Sequence, residues 1–206
     1  MRFFSSPPVR RRRAAAAVLL GLALPLAACA VKPIDMMQAP PEALRGAAYV
    51  DSVELSLGAA ARAAVKESDA KHHGEGDAGL PFARLFDKAV KEATRAQGLE
   101  AGRPLLVTVE MDALRIPDAA MAVLGRSDRL AGQDIVADAR TGDRLALFYV
   151  TVDKAHSGLI GLAIRGGGVR EKLVREFAAH IAEQLAAPRH SRSQAGPLPT
   201  PSPLTG

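Results

Sequence analysis

Leu105-Leu106-Val107-Thr108-Val109-Glu110-Met111 alternates strictly enough to orient the rest of the chain. Leu105, Val107, Val109 and Met111 fall on one side of an extended backbone, and Leu106, Thr108, Glu110 and Asp112 on the other. A period of two predicts a strand with one face on a core and one toward water. Immediately before it, Phe82, Leu85, Phe86, Ala89, Val90 and Ala93 recur at helical spacing, with Arg84, Asp87, Lys88, Lys91, Glu92 and Arg95 between them. That pattern predicts an amphipathic helix over Pro81–Gln97. Pro81 suits its first turn and Gly98 its end. Further back, Val53, Leu55 and Leu57 alternate with Ser52, Glu54 and Ser56, so Ala48–Leu57 reads as the first strand, ended by Gly58. Ala59–Glu67 is an alanine-rich short helix with a weak apolar face.

Beyond the central stretch, Pro117 stops the strand. Residues 118–132 form a longer connection with an apolar patch from Ala119 to Leu124. A hairpin follows: strands at Asp134–Ala139 and Arg144–Val152 joined by Arg140-Thr141-Gly142-Asp143, where the glycine supplies positive φ. The second strand, Leu145-Ala146-Leu147-Phe148-Tyr149-Val150, is almost continuously apolar, the mark of a central strand or one covered on both faces. Residues 154–168 are glycine-rich but match no G-x-G-x-x-G or Walker pattern. Val169–Ala187 closes the pattern as a helix with Leu173, Phe177, Ala178, Ile181 and Leu185 on one stripe, Glu171 near its positive end, and His180 beside the stripe. The order β–α–β–irregular–β–β–α predicts an α+β two-layer sandwich: a mostly antiparallel sheet with two main helices on one face.

The flanks are of a different character. Residues 1–28 contain Arg10-Arg11-Arg12-Arg13, an apolar run from Ala14 to Leu24, and then small residues, the order of a secretory signal. The run is shorter than the about 20 residues a membrane span needs. Leu26-Ala27-Ala28-Cys29 resembles the lipobox of bacterial lipoproteins. The resemblance implies cleavage between Ala28 and Cys29, a diacylglyceryl group on Cys29 Sγ and acylation of the new amino group. Ala30 stands where aspartate marks inner-membrane retention in the enterobacterial rule, which implies the inner leaflet of the outer membrane, facing the periplasm. Residues 29–46, with Pro33, Pro40 and Pro41, read as the lipidated cysteine and a proline-rich tether whose Met36 and Met37 are exposed. Residues 47–187 are the domain. Residues 188–206, rich in proline and serine, are a tail too polar to offset its ordering entropy.

Charge follows the same division. The chain has 206 residues with 27 Lys+Arg against 22 Asp+Glu, formally +5. Five of those arginines (Arg2 and Arg10 to Arg13) precede residue 28, where there is no acid, so the remainder is balanced at 22 against 22. The excess positive charge belongs to the signal and is not a nucleic-acid footprint. The single cysteine, taken by lipid, leaves no internal disulfide.

The element order, Asp138-Ala139-Arg140-Thr141-Gly142 at the hairpin, and the closing helix also resemble bacterial envelope lipoproteins of uncharacterised families. Their domain is similar to the N-terminal domain of TolB and to auxiliary lipoproteins of lipid-transporting ABC systems. The resemblance covers residues 48–187 and implies a protein partner in the envelope, no catalysis, and no cofactor other than the covalent lipid. Two local groups carry the competing reading of a small-ligand or metal-binding lipoprotein or a hydrolase. One is the loop with His72, His73, Glu75 and Asp77, whose imidazoles and carboxylates are transition-metal donors. The other is the Glu110/Asp112 pair. No serine lies in a nucleophile elbow. The expected class is therefore a non-enzymatic, membrane-anchored interaction or accessory module in lipid transport, secretion or surface assembly.

Overall fold

The computed structural model describes residues 33–44, 46–71, 74–155 and 168–186. The alternating stretch lies within β3 (Arg103–Arg115), which pairs on one side with β2 (Ala48–Leu57) and on the other with β4 (Asp128–Asp138). β5 (Arg144–Lys154) follows, and β1 (Ile34–Gln38) closes the edge, giving the order β1-β5-β4-β3-β2. Only β2–β3 is parallel; the other pairings are antiparallel. A parallel neighbour needs a crossover. Here it runs through α1 (Ala59–Lys71), a 3₁₀ turn at Gly76–Gly79 and α2 (Phe82–Ala96). The five-residue α3 (Ala119–Val123) lies in the β3–β4 connection, and α4 (Val169–Ala186) closes the described chain.

One side of the sheet carries the core. Leu105, Val107, Val109 and Met111 of β3 pack there with Phe148, Val150 and Val152 of β5, under Ala61 and Val65 of α1, Phe82, Leu85 and Phe86 of α2, and Phe177 and Ile181 of α4. The two long helices meet through Phe86 and Phe177, whose ring centroids are 5.5 Å apart at 59°, a tilted geometry that adds to area burial. The predicted α+β two-layer architecture, with a mostly antiparallel sheet and its main helices on one face, is what forms.

Several boundaries differ from the sequence expectation. The segment read as a tether supplies β1: Ile34, Asp35 and Met36 pair with Val150, Tyr149 and Phe148, and Thr151 N donates to Pro33 O at 2.8 Å. Ile34-Asp35-Met36-Met37-Gln38 has no strict alternation of its own, and the open edge of β5 provides the pairing. α1 extends to Lys71, four residues past the predicted end, while α2 starts at Phe82, so that Pro81 is its N-cap and not part of its first turn. β3 is longer than its alternating part because a bulge between Met111 and Ala113 lets pairing resume out of phase. Opposite that bulge sits Gly132, where a Cβ would lie 2.8 Å from Glu110 O; any side chain there would push the two strands apart. The hairpin turn carries Gly142 at φ +77°, as predicted.

Candidate functional site

The predicted ligand loop is partly visible. His72, His73 and the glycine-rich stretch 156–167 lie outside the described residues, as do Ala28 and Cys29. Asp77 sits in the 3₁₀ turn between α1 and α2, and its carboxylate is occupied: Lys88 Nζ lies 2.6 Å from Oδ1, and Arg175 Nη1 3.9 Å from Oδ2. The hydrogen bond from Lys88 holds the Asp77 carboxyl below its usual range despite some opposing desolvation. Among the described residues no cluster of three or more His, Cys, Asp or Glu forms. Asp77 therefore serves to tie α2 and α4 to the turn that precedes α2.

The same turn is gripped by a residue that the periodicity did not single out. Arg170, in the first turn of α4, is fully buried. Its Nε donates to Glu171 Oε1 at 3.2 Å and its Nη1 to Asp69 Oδ1 at 3.0 Å. Its Nη2 donates to the carbonyls of Ala78 at 3.1 Å and Leu80 at 3.0 Å. Asp69 Oδ1 also accepts from Phe82 N at 2.9 Å, which satisfies an amide at the start of α2. The planar fork of arginine suits this many-sided grip. The only sequence signal is an arginine at helical spacing from buried neighbours Leu173 and Val174, which by itself reads as surface.

Glu110 and Asp112 are both exposed. They do not act as a pair: Tyr149 donates its hydroxyl to Asp112, and the Tyr149 pKa is raised, first by burial and then by that bond. Asp138 is a turn organiser. Its Oδ1 accepts from Arg140 N at 2.7 Å and Thr141 N at 3.2 Å, and its Oδ2 accepts from Arg103. These bonds, led by the Arg140 amide, hold its carboxyl below the usual range. A depressed folded-state pKa stabilises the fold above the unfolded value and loses that contribution as pH falls through the folded one. Asp138→Ala is accordingly expected to lower the midpoint of urea unfolding at pH 7 and to flatten its decline on acidification.

The sheet face opposite the one that carries the core is partly apolar. Leu106 of β3 pairs with Ala137, Thr108 with Ile135, and Ile135 in turn with Leu147 of β5. Leu106, Ile135, Leu147 and Tyr149 are half-buried, bounded by Glu110, Asp112 and Arg129. The almost continuous apolar run of β5 thus has one face in the core and one toward this surface. Two concavities, of about 100 Å³ beside Ser68 and Leu114 and about 180 Å³ beside Tyr49 and Leu99, are smaller than the roughly 300–1,000 Å³ that small-ligand sites enclose.

No family model matches the chain, and no curated protein matches it. Solved structures similar to it include the PelC dodecamer from Paraburkholderia phytofirmans, at 13% identity over 76% of this chain and 98% of that one, TM-score 0.47. Protein XCC0632 from Xanthomonas campestris is similar at 10% identity over 73% and 92%, TM-score 0.47. A protein from Caulobacter crescentus described as a putative lipoprotein is similar at 10% over 65% and 86%, TM-score 0.33.

Proposed function

We propose that this chain is a lipid-anchored protein of the bacterial envelope that acts as a non-catalytic interaction module. The observation that carries the reading is a division of labour in the sheet. One face is consumed by the core, and the other presents half-buried Leu106, Ile135, Leu147 and Tyr149 on its central strands. The carboxylates read as candidate ligands are engaged in structural bonds instead, Asp77 with Lys88 and Asp112 with Tyr149. The lipobox at Leu26-Ala27-Ala28-Cys29 supplies the anchor, and two or three acyl chains hold a protein on a bilayer where one does not. Ala30 favours the inner leaflet of the outer membrane, facing the periplasm. Kinship with TolB N-terminal domains and ABC auxiliary lipoproteins, and a role in lipid transport, secretion or surface assembly, belong to this proposal and rest on the element order and the Asp138–Gly142 hairpin. Among the described residues no helix is long and apolar enough to cross a membrane.

The test is direct. Cys29→Ala is expected to abolish palmitate incorporation and move the protein from the membrane to the soluble fraction. Unchanged labelling and fractionation would sink the anchor. Crosslinking of the lipidated protein through p-benzoylphenylalanine at position 147 is expected to capture an envelope protein, whereas the same probe at Arg95 on the solvent face of α2 is not. Equal capture at both positions would remove the sheet face from the proposal.

A further inference from the structure

The way β1 enters the sheet defines which end of the domain meets the bilayer. Only residues 30–32 stand between Cys29 and Pro33, a covalent reach of at most about 14 Å over four steps. Pro33 is fastened beside Thr151, three residues short of the C-terminal end of β5 at Lys154, or about 10 Å along the strand. The registers place Lys154 beside Asp128, and Asp153 beside Arg129 and Arg115 in turn, so these residues form one end of the sheet. The Asp138–Arg144 hairpin is the opposite end, in the direction β1 runs away from the anchor.

That near end carries the most exposed of the large apolar side chains among the described residues. The large apolar side chains exposed among the described residues are Met36, Met37 and Leu124, at 37%, 52% and 77%. Met36 and Met37 lie on β1 where it has run past Phe148 toward the hairpin, whereas Leu124 follows α3, in the connection leaving β3 at the anchor-proximal end. Leu124 is flanked by exposed Arg126, which has no ion pair among the described residues, and by Arg115, whose guanidinium is held by Ser127 O and Oγ at 2.9 and 2.8 Å without an acid. The nearby acids are otherwise employed: Asp118 caps α3, Asp128 is buried, and Asp153 faces Arg129. An exposed leucine beside unpaired arginines matches the boundary between acyl chains and anionic headgroups.

We propose that the sheet end carrying α3 is the surface this chain lays against its own bilayer, with Leu124 inserted at headgroup level and Arg126 on lipid phosphates. The inference rests on lipidation at Cys29. It makes the domain a fixed, oriented projection and leaves the Leu106–Ile135–Leu147 face standing roughly along the membrane normal, open to a partner.

The single native cysteine makes the test clean, because its thiol is blocked by lipid. Leu124→Cys and, as a reference at the far hairpin, Thr141→Cys would be labelled with an environment-sensitive nitrobenzoxadiazole dye in the full lipidated chain. The chain is then reconstituted into phosphatidylethanolamine–phosphatidylglycerol vesicles with and without headgroup-proximal spin-labelled lipid. The expected result is blue-shifted emission at 124 with quenching several-fold stronger than at 141. Equal quenching at the two positions, or none at either in a chain whose intact mass shows the acyl groups, overturns the orientation and leaves the anchor standing. An intact mass without acyl groups overturns both.

Discussion

Asp134→Val is expected to stabilise the protein, raising its thermal midpoint at pH 7 by about 3–10 °C. Asp134 is fully buried in the middle of β4, between Val109 of β3 and Phe148 of β5, and among the described residues neither carboxylate oxygen has a hydrogen-bond partner. Burial alone pushes its pKa well above the ordinary carboxylate value, with no cation or donor opposing it. A buried, unsatisfied polar group costs about 1–3 kcal/mol, and in a domain of this size each kcal/mol moves the midpoint by about 2–4 °C. Valine removes that cost and suits a strand position.

The pH dependence separates this account from simple repacking. With a folded-state pKa raised above the unfolded one, folding takes up a proton. The contribution is complete below the unfolded pKa of about 4 and is lost as pH rises toward the folded pKa, at up to about 1.4 kcal/mol per pH unit. Wild type should therefore be more stable at pH 5 than at pH 8 once Asp138 and Asp77, which titrate with the opposite sign below that range, are fully ionised. Asp134→Asn keeps the shape, removes the titration and should flatten the slope without the full gain of valine. Urea unfolding from pH 5 to 8 reads all of this; a valine variant no more stable than wild type, with an unchanged slope, would refute the account.

The opposite effect is expected at Arg170. Arg170→Ala should destabilise the domain by about 3–5 kcal/mol, the usual consequence of removing one partner from a buried ionic network. It strands Asp69, Glu171 and the carbonyls of Ala78 and Leu80, all of which the guanidinium now serves. Glu171 Oε2 already lacks a hydrogen-bond partner among the described residues, so the loss falls on a group with little reserve. Arg170→Lys should recover less than half of the loss, because one ammonium cannot reach three directions at fixed geometry. The unfolding midpoints of the two variants, with hydrogen exchange at the first turns of α2 and α4, would check it. A lysine variant as stable as wild type would show that charge alone suffices.

Asp134 and Arg170 mark where reading the chain in one dimension stops. In Asp134-Ile135-Val136-Ala137-Asp138 the two aspartates stand four apart and share one face, which their polarity alone would turn to water. The pairing of Val109 with Asp134 and of Val107 with Val136 turns that side to the core instead. Arg170 and Glu171 likewise read as charged residues at a helix start, and only the approach of Asp69 from α1 makes a buried site of them. Among the candidate ligands, Asp77 was identifiable by type, but its engagement by Lys88 and Arg175 depends on α2 and α4 converging on one turn.

The sequence by itself determined the local periods: the strand at Leu105–Met111, the α2 and α4 stripes, the glycine-bearing hairpin turn, and the division of charge between a basic N-terminal segment and a balanced remainder. These are properties of neighbouring residues, where side-chain spacing and backbone preference act within a few ångströms. The tertiary structure alone decided that β2 joins β3 in parallel, that Ile34–Gln38 becomes an edge strand, and that an aspartate and an arginine are buried. Those outcomes depend on which edge or helix end is open when distant segments meet, and no local pattern records it.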